Sequence, residues 1–221
     1  MADGSTSAEA AGGVGIADAA RLANADSKEF IARARARGVT LIHKCVAVRH
    51  ALSAQKNGVD IVSIDGFECA GHPGEDDVGG LVLIPAAARA LKIPCIASGG
   101  IADGYGLAAA LSLGAYGVNM GTRFIATKEA PVHQNVKDAI VAASELDTRL
   151  VMRPLRNTER VLRNAAVDRL IEKEKALGAS IKFEDIIDEV AGVYPKIMRE
   201  GTMEAGAWSC GMVAGLIHDI P

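Results

Sequence analysis

The strongest constraint on the fold is a regular alternation of short apolar runs and helical patterns between residues 38 and 121. Such alternation indicates parallel strands joined by right-handed helical crossovers, because parallel neighbours cannot be connected by a tight hairpin. Four strands are predicted, at Val39–His43, Asp60–Ile64, Pro94–Ala97 and Gly117–Met120. The helices predicted between them are Val46–Lys56, Leu81–Leu91, started by an Asp77 cap, and Gly104–Leu113.

The segments on either side of this region have other patterns. Residues 1–15 are small and polar and predict an unstructured leader, and a helical pattern runs from Ile16 to Ala36. Beyond the last strand, helices are predicted at Pro131–Glu145, Thr158–Leu177 and Phe183–Ala191, and the apolar segment Ala205–Ile217 is expected to pack back on the sheet.

The length of the chain limits how much of a barrel it can form. Eight parallel strands with their helices usually take about 250 residues. The expected fold class is therefore α/β, a partial TIM-type (β/α) barrel of about four βα units with a C-terminal helical insertion. An open sheet of four or five strands is the alternative, and it requires that its edges be covered.

Composition narrows the classes of function. The 221 residues are 49% hydrophobic but only 4% aromatic, which favours an aliphatic core between helices and a buried parallel sheet. The formal net charge is −3 without a basic stripe, so neither nucleic acid nor an acidic membrane is an expected partner. Neither a signal peptide nor a membrane-spanning run is present, so a cytoplasmic location is expected. The four cysteines form no C-x-x-C pair, which predicts reduced thiols and no metal site.

Two glycine turns follow consecutive predicted strands. One is Ser98-Gly99-Gly100, and the other is Gly121-Thr122. In parallel barrels such turns at the carboxyl ends of neighbouring strands commonly bind a phosphate, because glycine lets backbone N–H groups approach its oxygens. Tight βα turns without a ligand are the alternative explanation for each turn taken singly.

A loop rich in glycine and acids follows the second predicted strand and contains His72. Pro73 favours an extended backbone at His72, which could then project over a ligand and act as a base near neutral pH. A solvated loop histidine is the alternative. The nearby acids at 68, 75, 76 and 77 fit a solvated loop with a helix cap better than a metal site, because no further histidine or cysteine ligand accompanies them.

Two charged residues stand at strand ends on the same side of the sheet. Lys44 ends the first strand and could offset negative charge on a cofactor or substrate. Asp65 ends the second strand and could hold Lys44 or a cofactor hydroxyl. A surface lysine is the alternative explanation for Lys44.

Several runs of the sequence resemble the nitronate monooxygenases, formerly called 2-nitropropane dioxygenases. The resemblance covers residues 38–221, whereas residues 1–37 match poorly, and Gly71-His72-Pro73-Gly74 is its most specific part. The runs are IHKCVAVRHA, GVDIVSIDGFECAGHPGEDD, IPCIASGGIADG, GVNMGTRF, KEAP and WSCG.

The resemblance implies an FMN-dependent barrel enzyme. It implies that the FMN phosphate contacts the two glycine turns, that Lys44 and Asp65 lie near the flavin, that His72 is the catalytic base and that Ser209 faces the substrate. The implied reaction is the oxygen-dependent conversion of an alkyl nitronate, such as propionate 3-nitronate, to a carbonyl compound and nitrite. The cofactor-binding residues expected are Lys44, Asp65, Ser98, Gly99, Gly100, Gly121 and Thr122.

The chain also departs from the family pattern. The family's first βα units are not recognisable before residue 38, so the chain is expected to be the C-terminal part of a barrel whose exposed edges dimerisation could cover. Met212 stands where a glutamine is expected. Two further interpretations therefore stay open: a flavin-dependent enoyl reductase-like enzyme, and an inactive truncated fragment that binds flavin weakly.

Overall fold

The central element of the protein is a five-stranded parallel sheet whose strands lie in chain order. The computed structural model describes residues 14–17 and 25–221. The sequential order is that of consecutive βα units, and it confirms the α/β class and the partial (β/α) barrel. The strands are β1 Val14–Ala17, β2 Thr40–Cys45, β3 Ile61–Asp65, β4 Cys95–Ser98 and β5 Val118–Asn119.

Four helices connect these strands and cover one face of the sheet. They are α1 Ala25–Ala36, α2 Val48–Asn57, α3 Gly80–Ala90 and α4 Gly104–Ser112. Alternation along β2 places Leu41 and Cys45 in the core beneath the helices, while Ile42 and Lys44 point to the opposite face and are only partly buried. The opposite face is the side that becomes the interior of a barrel.

The start of the fold differs from the sequence prediction. The helix predicted at Ile16–Ala36 is wrong in its first part, because Val14–Ala17 forms strand β1 and pairs in parallel with Thr40–His43. The helix begins only at Ala25. The sheet therefore has five strands where four were predicted, since pairing with β2 determines the conformation of a short run that has no clear periodicity of its own. Residues 1–13, which make up most of the predicted leader, lie outside the described residues.

The C-terminal insertion contains a hairpin as well as helices. Short helix α5 spans Thr122–Ile125 and α6 spans Gln134–Ala142, and then β6 Thr148–Val151 pairs antiparallel with β7 Glu159–Leu162. The helix predicted at Thr158–Leu177 is therefore wrong over its first residues. Helix α7, Ala165–Leu177, begins after β7, because the Asn164 side chain accepts a hydrogen bond from Val167 N at 2.8 Å and caps it.

The remaining chain consists of short helical turns. Helices α8 Ile187–Val190 and α9 Tyr194–Met198 are accompanied by 3₁₀ turns at Gly178–Ser180, Phe183–Asp185 and Met212–Leu216. The C-terminal apolar segment contributes Val213, Ala214 and Ile217 to a second core with α6 and α9, separate from the core beneath the sheet. Within the described residues, no helix combines the length and apolar character required to cross a bilayer.

We expect Asn164→Ala to lower the free energy of unfolding by about 2 kcal/mol, because it removes a helix cap and leaves two carbonyl groups without a donor. The Asn164 amide donates to Met203 O at 2.8 Å and Gly206 O at 2.9 Å. Urea unfolding measures the change. Asn157→Ala, at an exposed position of the same insertion, is the control and is expected to have an effect within about 0.5 kcal/mol. Equal effects of the two variants would contradict this account of the cap.

Candidate active site

The carboxyl ends of β2 to β5 meet at one edge of the sheet, where they form the floor of a pocket. Asp65, Ser98 and Asn119 are register neighbours on β3, β4 and β5, so parallel pairing alone brings them together. The pocket encloses about 100 Å³. Gly211 from the C-terminal segment also lines it, together with six of the seven residues predicted to bind a cofactor, namely Lys44, Ser98, Gly99, Gly100, Gly121 and Thr122.

A chain of polar side chains crosses the floor of this pocket. Lys44 Nζ lies 2.9 Å from Asp65 Oδ2, and Asp65 is buried while Lys44 is partly exposed. Ser63 Oγ donates to Asp65 Oδ1 at 3.4 Å, and Asn119 Nδ2 donates to Ser63 Oγ at 3.5 Å. The expected pairing of Lys44 with Asp65 is therefore present. Ser63 and Asn119 were not predicted as site residues, although alternation along β3 places Ser63 on the same face as Asp65.

The first glycine turn can only be built from glycine. Gly99 and Gly100 both have left-handed backbones, with φ of +84° and +75°. A Cβ atom on Gly99 would lie 2.9 Å from Cβ of Cys69, which no ordinary contact allows. The turn is thus packed tightly against the loop that follows β3, and its backbone faces the pocket without side chains.

The second turn differs, because its glycine is not required by strain. Gly121 has φ of −101°, and no atom lies within 4 Å of the place that its Cβ would occupy. The absence of a side chain there leaves open space in the pocket lining. Next to it, the buried Thr122 accepts a hydrogen bond from Gly211 N at 3.1 Å through Oγ1, so its hydroxyl proton stays available for a ligand.

His72 lies on the rim of the site and not in the lining of the pocket. Its side chain is exposed, and it follows Gly71, which pairs with Arg160 of strand β7 through two backbone hydrogen bonds of 3.1 and 2.6 Å. Glu75 fixes the other side of the loop by accepting from Thr158 N at 2.9 Å and from Thr158 Oγ1 at 2.6 Å. The loop is therefore held against the hairpin at both sides of His72.

The buried side chain of Arg160 connects the same hairpin to the start of the loop. Its guanidinium donates to Phe67 O at 2.9 Å, donates to Thr148 Oγ1 at 3.1 Å and lies 4.6 Å from the centroid of the Phe67 ring. Burial lowers the pKa of this guanidinium. Arg160 was not predicted as a site residue, because the sequence predicts a helix where the structure has strand β7.

The acidic residues of the loop have structural partners. The predicted Asp77 cap of α3 is wrong: Glu68 accepts from Gly80 N at 2.9 and 3.1 Å, whereas Asp77 lies 2.8 Å from Arg153. Asp76 lies 2.6 Å from Arg49, whose hydrogen bond lowers the pKa of that carboxyl. Within residues 14–17 and 25–221, no three histidine, cysteine or acidic side chains gather as metal ligands would.

The cysteines of the molecule are buried and unpaired. Cys69 lines the pocket beside Gly99, and burial raises the pKa of its thiol to about 12. A thiol with that pKa stays protonated at neutral pH, so it is a poor nucleophile and a poor metal ligand.

Ser209 lies beside the His72 loop at the centre of a polar network. A Cβ atom on Gly71 would lie 3.6 Å from Ser209 Oγ. Ser209 Oγ lies 2.6 Å from Glu159 Oε1 and 2.5 Å from the hydroxyl of Tyr194, and burial raises the pKa of Tyr194. Ser209, the residue expected to face the substrate, is thus close to the backbone of the His72 loop. Its partners Glu159 and Tyr194 were not predicted from the sequence.

Comparison with known sequences identifies the family. The sequence model that defines nitronate monooxygenases matches residues 15–221. The chain belongs to the nitronate monooxygenase family. Members of this family are flavin oxidoreductases, and the match includes all but the first residue of β1 and both glycine turns.

Relatives of the chain carry more than one name. The (3aS,4S,5R,7aS)-5-hydroxy-7a-methyl-1-oxo-octahydro-1H-indene-4-carboxyl-CoA dehydrogenase of Rhodococcus jostii (strain RHA1) is 32% identical over 237 aligned positions, which cover 91% of this chain and 66% of that protein. A probable nitronate monooxygenase of Bacillus subtilis (strain 168) is 42% identical over 120 positions, 51% of this chain and 35% of that protein. The chain thus spans between about a third and two thirds of the length of these relatives.

A solved structure shows the same fold. FabK from Thermotoga maritima superimposes with a TM-score of 0.81 and 35% sequence identity, over 89% of this chain and 61% of that one. The superposition extends over most of the chain, so the shared architecture includes more than the five-stranded sheet and its helices.

We expect Arg160→Met to lower the free energy of unfolding by about 2–3 kcal/mol and to speed amide hydrogen exchange at Gly71. The reason is that the Phe67 carbonyl loses its donor and the loop loses its attachment to the hairpin. Arg149→Met on β6 is the matched control, because the Arg149 guanidinium donates to the nearby carbonyls of Leu146 and Thr148 and not to the His72 loop. If the two variants exchange Gly71 at the same rate, Arg160 does not hold the loop.

Proposed function

We propose that the pocket binds the phosphate of FMN and that the chain supplies the phosphate-binding and catalytic-loop part of an enzyme that oxidises alkyl nitronates, the class that includes propionate 3-nitronate. The observation that carries the proposal is the pair of side-chain-free turns: Gly99 and Gly100 in left-handed conformation, and Gly121 facing open space. A phosphate needs this kind of close approach to backbone N–H groups.

The donors around the pocket fit a flavin nucleotide. Ser98 and Thr122 offer hydroxyl groups beside the turns, and Lys44 provides positive charge on the floor. Asp65 keeps the ammonium of Lys44 in place on the inner face of the sheet. When bound, FMN supplies the electron-accepting chemistry, and molecular oxygen is the co-substrate that allows a nitronate to become a carbonyl compound and nitrite.

His72 is proposed as the base for substrates that still carry their acidic proton. Its exposed position beside Ser209 lets it reach a molecule that lies above the pocket, while the backbone pairing of Gly71 limits the movement of the loop. A nitronate has already lost its proton, so it requires from His72 only a place to bind. A neutral nitroalkane requires deprotonation at carbon before it can be oxidised.

A second candidate function is flavin-dependent oxidoreduction of an enoyl or acyl thioester. The observation that favours it is the extent of the likeness to the Rhodococcus dehydrogenase, whose name specifies a carboxyl-CoA substrate and which aligns over 91% of this chain. The Bacillus probable nitronate monooxygenase aligns over 51%. Both candidate functions use the same glycine turns for the FMN phosphate, so they differ in the substrate that binds above the pocket.

We expect Gly121→Val to weaken FMN binding by at least about tenfold, because the new side chain fills the open space that the phosphate would occupy. Fluorescence quenching of FMN measures the dissociation constant. Gly104→Val is the matched control, since a Cβ atom there also meets no atom within 4 Å but lies on α4 outside the pocket lining. Unchanged affinity in Gly121→Val would place the phosphate elsewhere.

We expect His72→Ala to reduce oxygen consumption with neutral 1-nitropropane by about 10²–10⁴-fold while reducing it far less with the preformed nitronate of the same compound. Oxygen-electrode rates on both substrates provide the comparison. His50→Ala, an exposed position on α2, is the control. A wild-type protein that consumes no oxygen with either compound but turns over an acyl thioester would establish the second candidate instead.

A further inference from the structure

The polar groups around Ser209 form a closed hydrogen-bond network. An ionised Glu159 can only accept, so Ser209 Oγ donates its proton to Glu159 Oε1 at 2.6 Å. Ser209 N donates to the Tyr194 hydroxyl oxygen at 2.9 Å, and the Tyr194 hydroxyl donates its own proton within the network, where its partners are Ser209 Oγ at 2.5 Å and the Glu159 carboxylate. The hydroxyl protons of Ser209 and Tyr194 thus both have acceptors inside the network. A ligand would meet only acceptor oxygens there.

The negative charge of Glu159 is not neutralised by a neighbour. Within the described ranges, 14–17 and 25–221, no lysine, arginine or histidine nitrogen lies within 4.0 Å of its carboxylate. Arg160 is the next residue on β7, but alternation directs its side chain to the other face of the hairpin, where it bonds Phe67 O. Glu159 is only partly buried, so its charge acts on molecules that approach the rim.

We propose that Glu159 is a specificity-determining residue, and that through Ser209 and Tyr194 it disfavours substrates that carry a second negative charge. This inference rests on the proposed function, because it assumes that the substrate lies between His72 and Ser209. A carboxylate placed next to Glu159 meets acceptor oxygens and a like charge, and both weaken binding. An uncharged alkyl end at the same place needs no hydrogen-bond donor and is not repelled by the charge of Glu159.

The test compares two nitronates that differ only in the group at the far end. Propionate 3-nitronate ends in a carboxylate, and the nitronate of 1-nitropropane has a methyl group there. Isothermal titration of the flavin-loaded protein at low salt, without oxygen and with the flavin already reduced, gives both dissociation constants without turnover. The two constants are compared as a ratio, because the contribution of the nitronate group that both ligands share cancels from it.

We expect Glu159→Gln to shift this ratio toward propionate 3-nitronate by about three- to tenfold, since glutamine still accepts the Ser209 proton but carries no charge. Glu172→Gln removes an equal charge on the outer face of α7, where Glu172 pairs with Lys175, and is expected to leave the ratio unchanged.

An unchanged ratio in Glu159→Gln, or an equal shift in Glu172→Gln, overturns the assignment of Glu159. A wild-type protein that binds neither nitronate overturns it as well. Binding of both nitronates without oxygen consumption would refute the proposed oxidation alone, and the ratio would still decide the role of Glu159.

Discussion

The attachment of the loop after β3 to strand β7 is the interaction on which the site depends. It consists of the backbone pair between Gly71 and Arg160 and of the buried guanidinium of Arg160 on Phe67 O. Without it, the part of the fourteen-residue stretch between β3 and α3 that precedes His72 would lose its attachment to the hairpin. Burying a cation is unfavourable unless its hydrogen bonds are satisfied, so this attachment stabilises only one arrangement of loop and hairpin.

The attachment also connects the pocket with its rim. Strand β7 pairs with Gly71 through Arg160 and with Ser209 through Val161, and the chain continues from Ser209 to Gly211, whose N–H donates to Thr122 Oγ1 at the second glycine turn. A displacement of the hairpin would therefore move the His72 loop, the Ser209 network and one wall of the pocket together. In such an arrangement the geometry of the Ser209 network is coupled to that of the second glycine turn.

The sequence predicted the parts of the site that local chemistry controls. Asp65, Ser98 and the turn glycines end short apolar runs, and parallel pairing suffices to gather them at one edge. The hairpin escaped prediction because Glu159–Leu162 precedes α7 without a turn signal and takes its strand conformation from pairing with β6. The partner of the α3 N-terminus is Glu68 and not Asp77 for a similar reason. The loop folds back on itself, and no spacing of residues in the sequence encodes that reversal.

Local turns could be predicted from the sequence, whereas the pairing within the insertion could not, and this difference limits what the sequence reveals about function. The two glycine turns are short and local and can be recognised in the sequence, but they do not by themselves specify a substrate. The residues that would distinguish a nitronate from a thioester are contributed by β7, α9 and the segment around Ser209, which pair only in the folded insertion. Under the proposed function, substrate choice depends on elements far apart in the chain, and a charge such as that of Glu159 would change it without any alteration of the glycine turns.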